Sequence, residues 1–147
     1  SGTITGNLTI TATAATIKTF QVTITQTANQ TIKVKAGSVE HTSTFTANYG
    51  TTYTVTVTPA TGYNAGTPSV SSGTITGNLT ITATAATIKV LKVIISKPEH
   101  GSIYATYEGT NYWGELNVNY GSTVTFTCTP DSGYTLKNWT KNGSVIN

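Results

Sequence analysis

The sequence predicts an all-β chain of tandem small antiparallel β-sandwich repeats, Ig-like or β-grasp-like, with a period of 71 residues. Three observations predict it. The stretch SGTITGNLTITATAATIK at Ser1–Lys18 returns letter for letter at Ser72–Lys89. Apolar residues alternate with threonine in one short segment after another, the period of a strand with one buried face. Threonine supplies about a quarter of the residues while only 9% are charged, which suits a pleated, half-buried surface rather than a disordered chain.

Sliding the chain by 71 places aligns residues 19–76 with 90–147 without a gap, and 14 of the 58 positions match. The matches include Asn48-Tyr49-Gly50 with Asn119-Tyr120-Gly121, Thr58-Pro59 with Thr129-Pro130, and Gly62-Tyr63 with Gly133-Tyr134. Turn formers and alternating apolar sites are what a shared backbone requires. Three parts follow: a C-terminal strand segment of a preceding repeat (1–18), a complete repeat (19–88), and a repeat lacking its last strand (89–147). A unit of this size buries only about 60% of its unfolded surface, so each is expected to lean on its neighbours.

In the complete unit the strands are read by parity. Phe20, Val22 and Ile24 oppose Gln21, Thr23 and Thr25. Ile32, Val34 and Ala36 alternate with Lys33 and Lys35, and Phe45 and Ala47 with Thr44 and Thr46. Tyr53, Val55 and Val57 alternate with threonines from Thr52 to Thr58. Leu79, Ile81, Ala83 and Ala85 alternate with Thr80, Thr82 and Thr84. These five strands, apolar on one face and threonine-rich on the other, fit antiparallel sheets with one wet face. Asn48-Tyr49-Gly50 and Thr76-Gly77-Asn78 read as turns. No ten-residue window keeps a helical period, so two small sheets packed as a sandwich is the expected solution.

Composition narrows the function. The net charge of +3 comes from eight lysines and no arginine. Arginine is the residue for bidentate phosphate and base contacts, so no nucleic-acid partner is expected. No apolar run reaches membrane-spanning length, so no membrane insertion is expected. The single cysteine excludes a disulfide within the chain. A chain that begins inside a repeat says nothing about a signal peptide.

No catalytic residue, cofactor or metal site is expected. Glu108 and Glu115 flank the tip of one hairpin and read as solvated charges rather than an acid–base pair. His41 and His100 fall at turns in different units without a Cys or Asp cluster. Cys128 has inward parity, aligned with Val57, and reads as a small buried hydrophobe. Tyr63 and Tyr134 recur in register as structural anchors, and Trp139 reads as core. The Asn-x-Thr/Ser triplets at Asn7, Asn29, Asn78, Asn138 and Asn142 are what a Thr- and Asn-rich chain yields by chance.

The third unit carries Gly101-Ser102-Ile103, then Tyr120-Gly121-Ser122-Thr123-Val124-Thr125-Phe126-Thr127. Thr129-Pro130-Asp131-Ser132-Gly133-Tyr134-Thr135-Leu136-Lys137-Asn138-Trp139 follows, then Asn142-Gly143. This resembles the divergent internalin B-type repeats of bacterial cell-surface proteins, with their G-S/T-x-V-x-L-x-A-x-P-x-x-G-Y-x-F-x-x-W core. The likeness covers most of residues 90–147 and, more faintly, 19–76, where Gln30 stands for Gly101 and Pro68 for Trp139. It implies an extracellular, non-catalytic module of the bacterial cell surface, found in adhesins or beside them.

One pair of residues stands out as a candidate ligand-binding site. The third unit's hairpin runs Ile103–Tyr107, turns through Glu108-Gly109-Thr110-Asn111, and returns as Tyr112–Leu116. Pairing Tyr107 with Tyr112 turns Ile103, Ala105, Tyr107, Tyr112 and Leu116 inward. Tyr104 and Trp113 then share the outer face as diagonal neighbours, where the middle unit has Lys33 and Thr42. An outward Trp–Tyr pair on a polar face stacks on a sugar ring or anchors a protein, which makes a host glycan or protein the expected partner. Alternatively Trp113 covers a junction between units or packs under a loop.

Leu8, Ile10, Ala12 and Ala14 have the parity of a finished strand without a unit to complete. The third unit has the opposite defect. Residues 1–18 therefore suit strand complementation of the third unit of another molecule, giving head-to-tail self-association. Alternatively the segment lies idle or docks on the middle unit, and recent duplication also explains the identity. The function expected is a stalk or adhesion module of a bacterial surface protein. The rivals are a carbohydrate-binding module of a secreted glycosidase and a subunit of an extracellular fibre.

Overall fold

The computed structural model describes residues 1–146, with side chains to Val145. Residues 1–18 are exposed and form no strand. Sixteen strands follow among the described residues. The first eight are β1 (Thr19–Ile24), β2 (Gln30–Ala36), β3 (Val39–His41), β4 (Phe45–Asn48), β5 (Thr52–Pro59), β6 (Tyr63–Asn64), β7 (Ser72–Thr74) and β8 (Leu79–Ile81). Then come β9 (Thr87–Ile88), β10 (Val90–Ile94), β11 (Gly101–Tyr107), β12 (Thr110–Tyr112), β13 (Glu115–Asn119), β14 (Thr125–Pro130), β15 (Trp139–Lys141) and β16 (Ser144–Ile146). The protein is all-β, and no helix among the described residues is long and apolar enough to cross a membrane.

Packing divides the chain into two units: 1–58 with 66–85, and 59–65 with 86 onward. The sequence period cuts at 18/19 and 88/89, because it follows equivalent residues, whereas this division follows contacts.

The first unit is a sandwich of a three-stranded sheet, β4-β1-β8, and a four-stranded sheet, β3-β2-β5-β7. Its core draws from both: Val22 and Ile24 of β1, Ile81 of β8, Ile32, Val34 and Ala36 of β2, Tyr53 of β5, and Ile75. Seven of these eight stand at positions that parity turns inward. Ile75 directly follows β7, where no alternation marked it. Phe20, Phe45, Ala47, Val55, Val57, Leu79 and Ala83 pack partly buried around them. Ala85 is exposed, because the expected Leu79–Ala85 strand ends at Ile81. Beyond it Ala83 makes an isolated antiparallel bridge with Pro68.

Two features depart from the sequence reading. The β1–β8 pair is parallel, with Val22 beside Leu79 and Ile24 beside Ile81, although the other registered pairs are antiparallel. A parallel pair needs a long crossover, and residues 25–78 supply it by way of the other sheet. The second departure is Gln30, a buried polar residue at the start of β2. Its amide donates to the Thr84 carbonyl at 2.7 Å and to the Thr27 hydroxyl, and its Oε1 accepts from the Gly66 N–H at 2.7 Å. Three segments far apart in sequence are tied by one side chain. In the other unit the aligned residue is Gly101, whose φ of 155° and whose absent Cβ, which would lie 2.7 Å from the Thr129 carbonyl oxygen, exclude any side chain.

On the edge of the larger sheet Lys33 bonds Glu40 at 2.8 Å. That hydrogen bond and the lysine's charge hold the Glu40 carboxyl below its ordinary value. The stabilisation is therefore present at neutral pH and fades on acidification below the ordinary carboxylate range. It is small, since both groups are in water.

The second unit contains β10-β13, β12-β11-β14, β15-β16 and β6-β9. Its core is Ile95, Ala105, Leu116 and Val118, with Val93, Ile103, Tyr107, Tyr112 and Val124 against it. The 71-residue repeat is visible in the backbone. Tyr49 N–H donates to the Lys18 carbonyl and Tyr120 N–H to that of Lys89, both at 2.8 Å. Gly50 and Gly121 have φ of 83° and 82°, and Gly62 and Gly133 both 84°. Left-handed φ is the reason glycine recurs in the Asn-Tyr-Gly and Gly-Tyr turns.

The hairpins share one register too. Ala36 faces Val39, and Tyr107 faces Thr110. This corrects the expected pairing of Tyr107 with Tyr112. The turn is two residues, Glu108 and Gly109, not four, and both have positive φ, at 49° and 76°. Those are the angles of a type I′ turn, whose twist matches the strands it joins. A shift of two residues keeps parity, so Ile103, Ala105, Tyr107 and Tyr112 still share the inner face. Leu116 is buried as expected, but on β13 in the other sheet. Glutamate pays for the left-handed angle where asparagine tolerates it. Glu108→Asn is expected to stabilise the second unit by about 1 kcal/mol, read as a raised urea midpoint. No gain would mean that the turn carries no strain.

Candidate functional site

Tyr104 and Trp113 come together. β11 is the central strand of its sheet, held by β12 on one side and β14 on the other. Ala105 faces Tyr112, the last registered pair of that hairpin, so position 113 falls next to Tyr104 at the point where the strand leaves the sheet. The corrected register makes the two residues direct rather than diagonal neighbours. Their ring centroids lie 5.7 Å apart with the planes tilted by 41°. Trp113 is 64% exposed and Tyr104 half-buried.

Parity decides what surrounds them. Ala105 points into the core, so Tyr104, Ser102 and Thr106 point out. On β14 their partners Thr127, Thr129 and Thr125 share that face. Thr106 hydroxyl donates to Asn111 Oδ1 at 2.8 Å. The pair is therefore an aromatic ledge beside a band of hydroxyls. The first unit has the same hairpin register but no ledge, since Lys33 and Thr42 occupy the two positions. A stacked sugar or an apolar anchor could rest on the rings while hydroxyls meet its polar edge.

The remaining polar residues have other roles. Glu115 is paired with Lys92 at 2.6 Å on the neighbouring sheet, while Glu108 sits in the hairpin turn. His41 lies on β3 rather than at a turn, stacked on Phe45 with centroids 3.7 Å apart. His100 stacks on Tyr134 at 4.0 Å, yet Tyr134 stays half-exposed. Tyr63 lies on β6 opposite Ile88. Cys128 is half-buried opposite Ile103, and Trp139 is half-buried on β15. Among the described residues no three His, Cys, Asp or Glu side chains are grouped to hold a metal. Leu8 and Ile10 are 59% and 83% exposed, and Ala12 and Ala14 are exposed as well.

Neither the comparison with curated proteins nor that with solved structures returned a match. The comparison with protein families returned one. Residues 91–147, which hold the Tyr104–Trp113 ledge and the Pro-x-x-Gly-Tyr turn, match the divergent InlB B-repeat domain.

Proposed function

We propose that the protein is a non-catalytic tandem repeat of a bacterial surface protein, a stalk whose second unit carries an adhesive face. The observation that carries this reading is the exposed Trp113–Tyr104 ledge, present in one unit and replaced by Lys33 and Thr42 in its structural twin. A core position would keep an apolar residue in both. The match of residues 91–147 to the divergent InlB B-repeat domain supports the surface setting. The partner is a host glycan or a protein. The band of threonine hydroxyls beside the rings favours a glycan, and the same face would serve a carbohydrate-binding module of a secreted glycosidase.

Trp113→Ala is expected to remove binding to glycans found on an array while moving stability by no more than about 0.5 kcal/mol, the range of surface substitutions. Tyr104→Ala is expected to weaken the same binding. A loss of several kcal/mol from Trp113→Ala would make it a structural residue and end this reading. Binding that survives both changes would move the site elsewhere.

A further inference from the structure

Charge separates the equivalent faces of the two units. The three strands of the ledge sheet, β11, β12 and β14, hold no Asp, Glu, Lys or Arg along their length. In the first unit the hairpin strands β2 and β3 hold Lys33, Lys35 and Glu40, with Lys33 bonded to Glu40 at 2.8 Å. At a shift of 71 those three become Tyr104, Thr106 and Asn111. An ion pair across one hairpin is thus replaced by a neutral bond across the other, from the Thr106 hydroxyl to Asn111 Oδ1.

No cation flanks the rings at the hairpin end. The charge there is Glu108, exposed in the turn. Lys92 is held by Glu115 on the neighbouring sheet. At the far end His100 precedes β11 and Asp131 follows β14, the Asp131 N–H donating to the His100 carbonyl. Between these ends the face is hydroxyl. Ser102 and Thr106 flank Tyr104 along β11, and Thr129, Thr127 and Thr125 stand opposite on β14. A hydroxyl both donates and accepts, as a sugar hydroxyl does, so this band meets the rim of a sugar without fixed charge. A carboxylate or sulfate set down here would lose water with no cation to meet it and Glu108 to repel it.

The two rings have different parts. Tilted by 41°, they cannot both lie flat on one pyranose. Trp113, 64% exposed, offers the stacking face, and half-buried Tyr104 buttresses it. In the first unit, which another unit follows in the chain, Thr31, Lys35 and Thr42 on the equivalent face are exposed. We infer that the ledge selects a neutral glycan, whose ring stacks on Trp113 while its hydroxyls bond the threonine band, and rejects sialylated, sulfated or uronic chains. This rests on the adhesive reading of the ledge and narrows it from glycans at large to uncharged ones.

The test is binding of the full chain to an array of neutral oligosaccharides printed beside sialylated and sulfated forms of the same chains, with hits remeasured by titration in solution. The expected result is binding of a neutral form, weakened about tenfold or more when the stacked sugar carries an acid. It should change by less than about twofold between low and high salt, because no ion pair forms. Trp113→Ala is expected to abolish it. Thr125→Lys, which sets a cation opposite Thr106, is expected to narrow the gap between neutral and acidic forms. A gap that Thr125→Lys leaves unchanged would overturn charge as the basis of the choice. A preference for the acidic form that Trp113→Ala abolishes overturns the inference yet keeps the ledge as a binding site. Glycan binding that survives Trp113→Ala, or none at all, overturns both.

Discussion

Ile81→Ala is expected to destabilise the first unit by about 3 kcal/mol, the cost of emptying a large buried site. Ile10→Ala is expected to change unfolding by no more than about 0.5 kcal/mol. The two isoleucines have the same eighteen-residue surroundings in sequence. They differ in what meets them: Ile81 is 0% exposed beside Ile24 of β1, and Ile10 is 83% exposed. Urea titration followed by far-ultraviolet circular dichroism measures both, and hydrogen exchange in β1 locates the loss. Equal effects from the two changes would mean that residues 1–18 already fill a core.

Gly66→Ala is expected to cost about 3 kcal/mol, the upper range for overpacking a filled site. A Cβ on Gly66 would lie 1.8 Å from the Thr84 carbonyl oxygen. That carbonyl cannot retreat freely. It accepts from Gln30 at 2.7 Å, while Thr84 N–H donates to the Thr67 carbonyl at 2.9 Å and Thr84 Oγ1 accepts from Thr67 N–H at 2.8 Å. Moving it also strains the bond from Gly66 N–H to Gln30, and a buried amide left unpaired is itself expensive. Gly77→Ala is the control, since nothing lies within 4 Å of its Cβ position; a change of no more than about 0.5 kcal/mol is expected there. A thermal melt of each variant decides it. A Gly66→Ala protein as stable as the parent would show that the Thr84 strand end is soft.

Where alternation was strict, burial followed it. Val22, Ile24, Ile32, Val34, Ala36, Tyr53 and Ile81 are buried on the parity expected of them, because a strand's two faces are set by a period of two whatever it pairs with. The shared turns were legible for a similar reason: a left-handed φ demands glycine locally, and Gly50 and Gly121 report it at both ends of the repeat. The outward direction of Tyr104 and Trp113 was legible too, because a register error of two residues leaves parity unchanged. Their direct adjacency was not, since it depended on a two-residue turn that placed a glutamate at positive φ.

The sequence by itself therefore determined the fold class, the repeat, the faces of the strands and the residues at the outer ledge, all properties that arise within a few residues of backbone. The tertiary structure alone decided which strands meet. Alternation is silent about partners, so the parallel placing of β8 on β1, the burial of Ile75 and the three-way role of Gln30 emerged only when distant segments were brought together. The identical stretches make the point most directly. Ser72–Lys89 supplies strands to both sheets of one unit and Ser1–Lys18 to neither, because a strand is completed by hydrogen bonds and apolar contacts that its own residues cannot provide.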